Sequence, residues 1–146
     1  MSAKVKLKTT PQRSRIMRAV KSSNTKPELK VRSVLRELRV GVVPIRTRLP
    51  GSPDILLRKT VAIFVHGCFW HGCSRHYRPP KSNAWFWRRK LEGNMARDRR
   101  VQDELLRMGY RVLVIWEHAL DKDGFDRRLS DAVNHLGNHG GRFEIK

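Results

Sequence analysis

The stretch VAIFVHGCFWHGCSRHYRPP, residues 61–80, decides how this chain is read. It opens on five apolar residues, Val61 to Val65, the pattern of a strand buried on both faces of a sheet. The next eleven positions, 66–76, carry three His, two Cys, a Phe and a Trp. One strand end thus delivers several metal-capable groups and two large aromatics to a single place.

Outward from this strand, DILLRK (54–59) reads as its hairpin partner, joined tightly at Lys59-Thr60. That connection predicts Asp54 beside Val65 across the pair. VGVVPIR (40–46) is a candidate edge strand, because Pro44 forfeits a ladder bond, and LPGSP (49–53) is a turn. Downstream, Leu91, Met95, Leu105 and Met108 predict a long helix from Trp85 to Met108. Gly93 weakens it by about 1 kcal/mol and Gly109 ends it, with Trp85 and Phe86 assigned to the core. RVLVIWE (111–117) is a second buried strand. A crossover helix of that length makes the two buried strands parallel, so their C-terminal ends adjoin. His66 to His76 and His118 then share one edge of the sheet.

Two helices precede this unit. Thr10 and Pro11 begin one bearing Ile16, Met17 and Val20, and Thr25 and Pro27 begin another bearing Val31, Val34, Leu35 and Leu38. A last helix carries Phe125, Leu129, Ala132, Val133 and Leu136 and is closed by Gly137. The expectation is one α/β domain over residues 10–146, following a disordered basic arm at 1–9.

Charge narrows the partner. Thirty-two Lys and Arg against thirteen Asp and Glu give +19, a field that attracts nucleic acid. Residues 1–27 hold eight basic residues and no acid. Between Glu37 and Glu92 the lone carboxylate is Asp54, among eleven basic residues. An isolated acid works against phosphate binding unless it holds a divalent cation. No run of about 18 apolar residues is present, which excludes a transmembrane helix. The basic N-terminus lacks the apolar core of a secretory signal, so a cytoplasmic protein with no membrane partner is expected.

Cys68, Cys73 and His76 follow a C-x4-C-x2-H spacing, and the parallel strands add His118. Four such donors suit a closed, structural Zn²⁺ site, which stiffens a loop too polar to bury itself. A Cys68–Cys73 disulfide is the alternative. His66 and His71 are left over. Asp54 beside a strand-end carbonyl, that of Val65, can hold Mg²⁺, and two neutral imidazoles nearby can move protons. That set suits metal-assisted phosphodiester hydrolysis. Phe69 and Trp70, held between a metal ligand and a proposed base, can wedge between base pairs where unstacking costs least, at a mismatch.

PGSPDILL, VAIFVHGCFWHGC, NMARDRR and GYRVLVIWEHAL closely resemble the very-short-patch-repair (Vsr) mismatch endonucleases, over about Arg13 to Leu120. The resemblance implies a PD-(D/E)xK nuclease-like fold, with a mixed four-to-five-stranded sheet flanked by helices and one structural zinc. It implies Mg²⁺-dependent nicking of double-stranded DNA 5′ to the T of a T:G mismatch, the product of 5-methylcytosine deamination, by a bacterial, nucleoid-associated monomer. A MutL-like repair protein is the implied partner. By position Asp54 matches the metal-binding aspartate, His66 and His71 the catalytic histidines with His71 as base, and Glu28 an acid orienting them. Thr25-x-x-Glu28 is equally a capping box. Trp87 and Met17 match further residues inserted beside the mismatch. The sequence departs from the family at Val65, where Thr can occur, and at His76 and His118, where Cys is an alternative. The usual nuclease lysine is absent, itself a family trait.

Two other readings use the same residues. A zinc-stapled, non-catalytic DNA-binding protein leaves Asp54, His66 and His71 without work. A zinc hydrolase with His66 and His71 as ligands for a small substrate does not need +19. A related nuclease that cuts without regard to mismatch is the nearer variant.

Overall fold

The structure, a computed structural model, describes residues 7–20, 23–46 and 48–146. Residues 1–6 of the expected basic arm lie outside the described residues. Within the rest of the arm, Lys8 is fastened to the start of a helix: Asn83 Nδ2 donates to its carbonyl at 2.8 Å and its N–H donates to Asn83 Oδ1 at 3.2 Å.

Among the described residues five strands form one sheet: β1 (Val42–Val43), β2 (Ile55–Leu57), β3 (Val61–His66), β4 (Arg111–Trp116) and β5 (Arg142–Ile145), in spatial order β1-β2-β3-β4-β5. The first three are antiparallel neighbours; β3, β4 and β5 run parallel. This is the α/β mixed sheet that the pattern predicts, with one more strand than it resolves. β5 follows directly on the last helix.

Period-two alternation divides the core between two faces. Val61, Ile63, Leu113 and Ile115 point to one side, beneath α2 (Lys26–Glu37) and α5 (Phe125–His139), whose Val31, Leu35, Leu129 and Leu136 are fully or almost fully buried there. Ala62, Phe64, Val112 and Val114 point to the other, where Leu105 of α4 (Ala84–Arg107) covers them. His66 continues the second series, and β3 pairs it with Trp116. The alternation therefore aims His66 at the α4 side of the sheet.

The β2–β3 connection spans Arg58 to Thr60, with Arg58 and Lys59 both at positive φ. Ile55 pairs with Ile63, so Asp54 falls opposite Phe64 and not Val65 as a two-residue connection predicts. The last helix also runs past Gly137 to His139 and stops at Gly140, φ +68°. Trp85, expected in the core, is 53% exposed. α1 (Pro11–Arg18) begins as predicted, with Thr10 capping Arg13 N–H, but contains no buried residue.

Candidate active site and metal cluster

The strand end at His66 passes through Gly67 into a four-residue helix, α3 (Cys68–His71), which turns the chain back against α4. Glu117, just beyond β4, accepts the Cys68 N–H at 2.7 Å and so caps α3 from another strand. Gly72 ends α3 at φ +69°, and a Cβ there would stand 2.9 Å from Met95 Sδ of α4. Only glycine satisfies both the left-handed backbone and the close approach. α4 in turn holds α3, since Asn94 Nδ2 donates to the Trp70 carbonyl at 2.9 Å.

This turn brings His71 onto His66. The two rings stack in parallel, 3.9 Å between centroids and 4° apart. His71 Nδ1 meets Asp98 Oδ2 of α4 at 2.7 Å, and Trp116 lies edge-on to His66 at 5.3 Å. Burial, and next the neighbouring His71, lower the pKa of His66 to about 4, leaving a neutral imidazole at neutral pH. Burial alone would raise Asp98, but its hydrogen bond and attraction to His71 outweigh that and hold the carboxyl below its usual range.

Asp54 lies across the same cleft. Its Oδ2 accepts the Val65 N–H at 2.7 Å, while Arg32 Nη2 of α2 donates to its main-chain carbonyl at 2.5 Å. The expected juxtaposition of Asp54 and Val65 thus exists through the side chain, despite the shifted register. Burial, and the nearby Glu28 carboxylate, push Asp54 up to about 6. Glu28 is itself buried; it accepts Asn24 N–H at 2.9 Å and the Thr25 hydroxyl at 3.3 Å, while its own N–H donates to Thr25 Oγ1 at 3.4 Å, a variant of the capping box that reaches the residue before the cap. Two carboxylates adjoining in a half-buried cleft suit a divalent cation, which would favour their charged forms. The cleft encloses about 790 Å³ and is lined by Glu28, Asp54, Val65, His66, Trp70, His71 and Asp98 among others.

The family model for the DNA mismatch endonuclease Vsr matches residues 6–77. The type II nicking enzyme V.NaeI of Lentzea aerocolonigenes is 40% identical over 88% of this chain and 80% of its own length. V.XorIIP of Xanthomonas oryzae pv. oryzae, also a type II nicking enzyme, is 40% identical over 86% of this chain and 95% of its own. The DNA mismatch endonuclease Vsr of Escherichia coli K12 is 36% identical over 74% and 70% respectively. The chain belongs to the Vsr family. It is a DNA endonuclease, and its five-stranded mixed sheet flanked by helices is the nuclease-like fold expected of one.

In this Vsr-family chain a second cluster gathers where α3 begins and β4 ends. Cys68, Cys73, His76 and His118 each offer one donor atom, all within 4.8 Å of one another. His118 Nδ1 stands 3.2 Å from Cys68 Sγ and 3.5 Å from Cys73 Sγ, and His76 Nδ1 3.7 Å from Cys73 Sγ. A tetrahedral metal with Zn–S and Zn–N bonds of about 2.3 and 2.0 Å has ligand–ligand edges near these lengths, so the donor set fits a metal ion. Both cysteines are unbridged, which removes the disulfide alternative. They also behave unequally. Burial and Cys73 push the Cys68 thiol up, whereas for Cys73 the burial is outweighed by N–H donors from Arg75 and His76 and by Cys68.

Phe69, Trp70 and Trp87 form one half-buried aromatic cluster, with Phe69–Trp70 centroids 5.0 Å apart and Phe69–Trp87 5.5 Å. Met17 is 38% exposed on α1 and does not line the cleft. Val20, three residues on, does.

Sequence reasoning missed Asp98, Glu117 and Asn94. The signal for Asp98 was present: it is a lone acid among Arg97, Arg99 and Arg100, the pattern that singles out Asp54. Asn94 precedes it by one helical turn and so shares its face.

Proposed function

We propose that this protein nicks one strand of duplex DNA on the 5′ side of the T in a T:G mismatch, using Mg²⁺ at Asp54, with Zn²⁺ in the Cys/His cluster. The observation that carries the chemistry is the stacked His66–His71 pair, tied to Asp98 and facing Asp54 across one cleft.

His71 takes the proton from the attacking water, and Asp98 holds its imidazole and stabilises the charge it acquires. His66, neutral and buried beneath it, cannot share that charge at 3.9 Å and donates a hydrogen bond toward the leaving 3′ oxygen. Asp54, with the Val65 carbonyl, would hold Mg²⁺, which when bound would polarise the scissile phosphate and offset its developing charge. Glu28 orients Asp54 and fixes the start of α2 through its capping box. Phe69, Trp70, Trp87 and Met17 insert beside the mispair, where a base step unstacks most cheaply. The Cys68–Cys73–His76–His118 cluster is structural: four protein donors leave no open position for a substrate. The protein acts as a monomer, with a MutL-like repair protein as partner.

A second reading has support in the names of the relatives. V.NaeI and V.XorIIP are called type II nicking enzymes, which fits a nick set by flanking sequence more than by the mispair. End-labelled duplexes, identical except for T:G or T:A at one position, separate the two. A nick 5′ to the T in the T:G duplex alone supports the mismatch reading. Equal nicking of both supports the second and removes the role of the wedge.

A further inference from the structure

The aromatic cluster at the cleft continues outward along α4 to a residue that the reading above leaves without work. Trp70, on the cleft wall, neighbours Trp87 with ring centroids 6.0 Å apart; Trp87 and Phe86 centroids are 5.2 Å apart, and those of Phe86 and Trp85 6.1 Å. The first three rings are half-buried, but Trp85 is 53% exposed. An indole so exposed on a chain with +19 net charge contributes little to the core and a great deal of apolar surface. Its neighbours on the helix face, at i+3 and i+4, are Arg88 and Arg89, both exposed. Lys8 is anchored to Asn83, two residues before it.

We propose that Trp85, with Arg88 and Arg89, is a second contact for duplex DNA, outside the cleft, which grips the flank of the substrate. The indole lies against deoxyribose and base edges, and the two guanidinium groups hold phosphates on either side. The inference rests on the cleft being where the strand is cut. Its reach is set from Trp87 beside the mispair: ring centroids step 5.2 Å to Phe86 and a further 6.1 Å to Trp85. Those steps together span at most about three base pairs.

The test is equilibrium binding of the full chain in EDTA, so that no strand is cut, with wild type, Trp85→Ala and Trp85→Phe. On a 30-base-pair, fully paired duplex, Trp85→Ala should bind roughly tenfold more weakly and Trp85→Phe nearly as well as wild type. On T:G duplexes trimmed from each end, wild type should lose that factor on one side, within about three base pairs of the mismatch. Trp85→Ala should show no such step. Unchanged melting temperatures keep folding out of the comparison. Equal affinity of wild type and Trp85→Ala for the long duplex overturns the proposal. So does an equal loss on a duplex trimmed to the cleft, which places the indole inside it. Failure of nicking or of T:G preference sinks the proposed function and leaves the paired-duplex comparison standing.

Discussion

Asp98 is flanked along α4 by Arg97, Arg99 and Arg100, yet its carboxylate turns to His71. With an amide in its place, the His71 ring keeps its position but loses the negative charge that stabilises a gained proton. Asp98→Asn should therefore slow single-turnover nicking by about 10² to 10⁴ with DNA affinity unchanged, as read by fluorescence anisotropy. Asp54 makes an opposite prediction about stability. Its folded-state pKa of about 6 stands above the ordinary 3.8, so the fold binds its proton more tightly than the unfolded chain does. The stability from this group is present below about pH 4 and is lost as pH rises through about 6. In metal-free protein, Asp54→Asn should raise stability at pH 8 by about 1–2 kcal/mol and change it little at pH 4. Thermal melts at the two pH values read this directly. The same substitution should abolish nicking.

At the scale of elements, α3 is four residues long and cannot stand alone. It exists because Glu117 caps it, Gly72 turns it and Asn94 fastens it. Gly72→Ala forces a Cβ toward Met95 Sδ at an unfavourable φ. The cost should be about 1–3 kcal/mol, seen in urea unfolding, with a matching fall in nicking because α3 carries His71. This element was illegible in the sequence, since periodicity needs more than one turn to register. β5 was illegible for a related reason. Arg142–Ile145 carries one fully buried side chain, Ile145, so it shows no apolar run. Gly137 resembled a helix stop, but open space surrounds it on the solvent side, and Gly140 at φ +68° performs that role. The legible elements were those with strong constraints: Val61–His66 and Arg111–Trp116, buried along nearly their whole length, and the Thr10 and Thr25 caps. Because those strands are parallel, His118 could be placed beside Cys68 before any geometry was known. Asp98 lacked such an anchor; its place depends on how α4 rotates against the sheet.

Over the whole molecule, the Cys/His cluster joins the segment 68–76 to the end of β4, beside the cleft. Removing a bound metal with a strong chelator should lower the melting temperature by roughly 10 °C or more, with zinc recovered by mass spectrometry at one equivalent. The net charge of +19 acts over the same scale. If six to ten phosphates are contacted, affinity for paired DNA should fall about 10³- to 10⁵-fold between 50 and 200 mM salt. A weak salt dependence would mean that the basic surface serves something other than the duplex. The most direct test of the central claim is a nicking time course on an end-labelled T:G duplex, for wild type and Asp54→Asn, with Mg²⁺ or with EDTA, at saturating protein. The account predicts one nick 5′ to the mismatched T that requires both Mg²⁺ and Asp54, with binding retained when either is absent. Nicking that persists in EDTA, or in the Asp54→Asn protein, would contradict it.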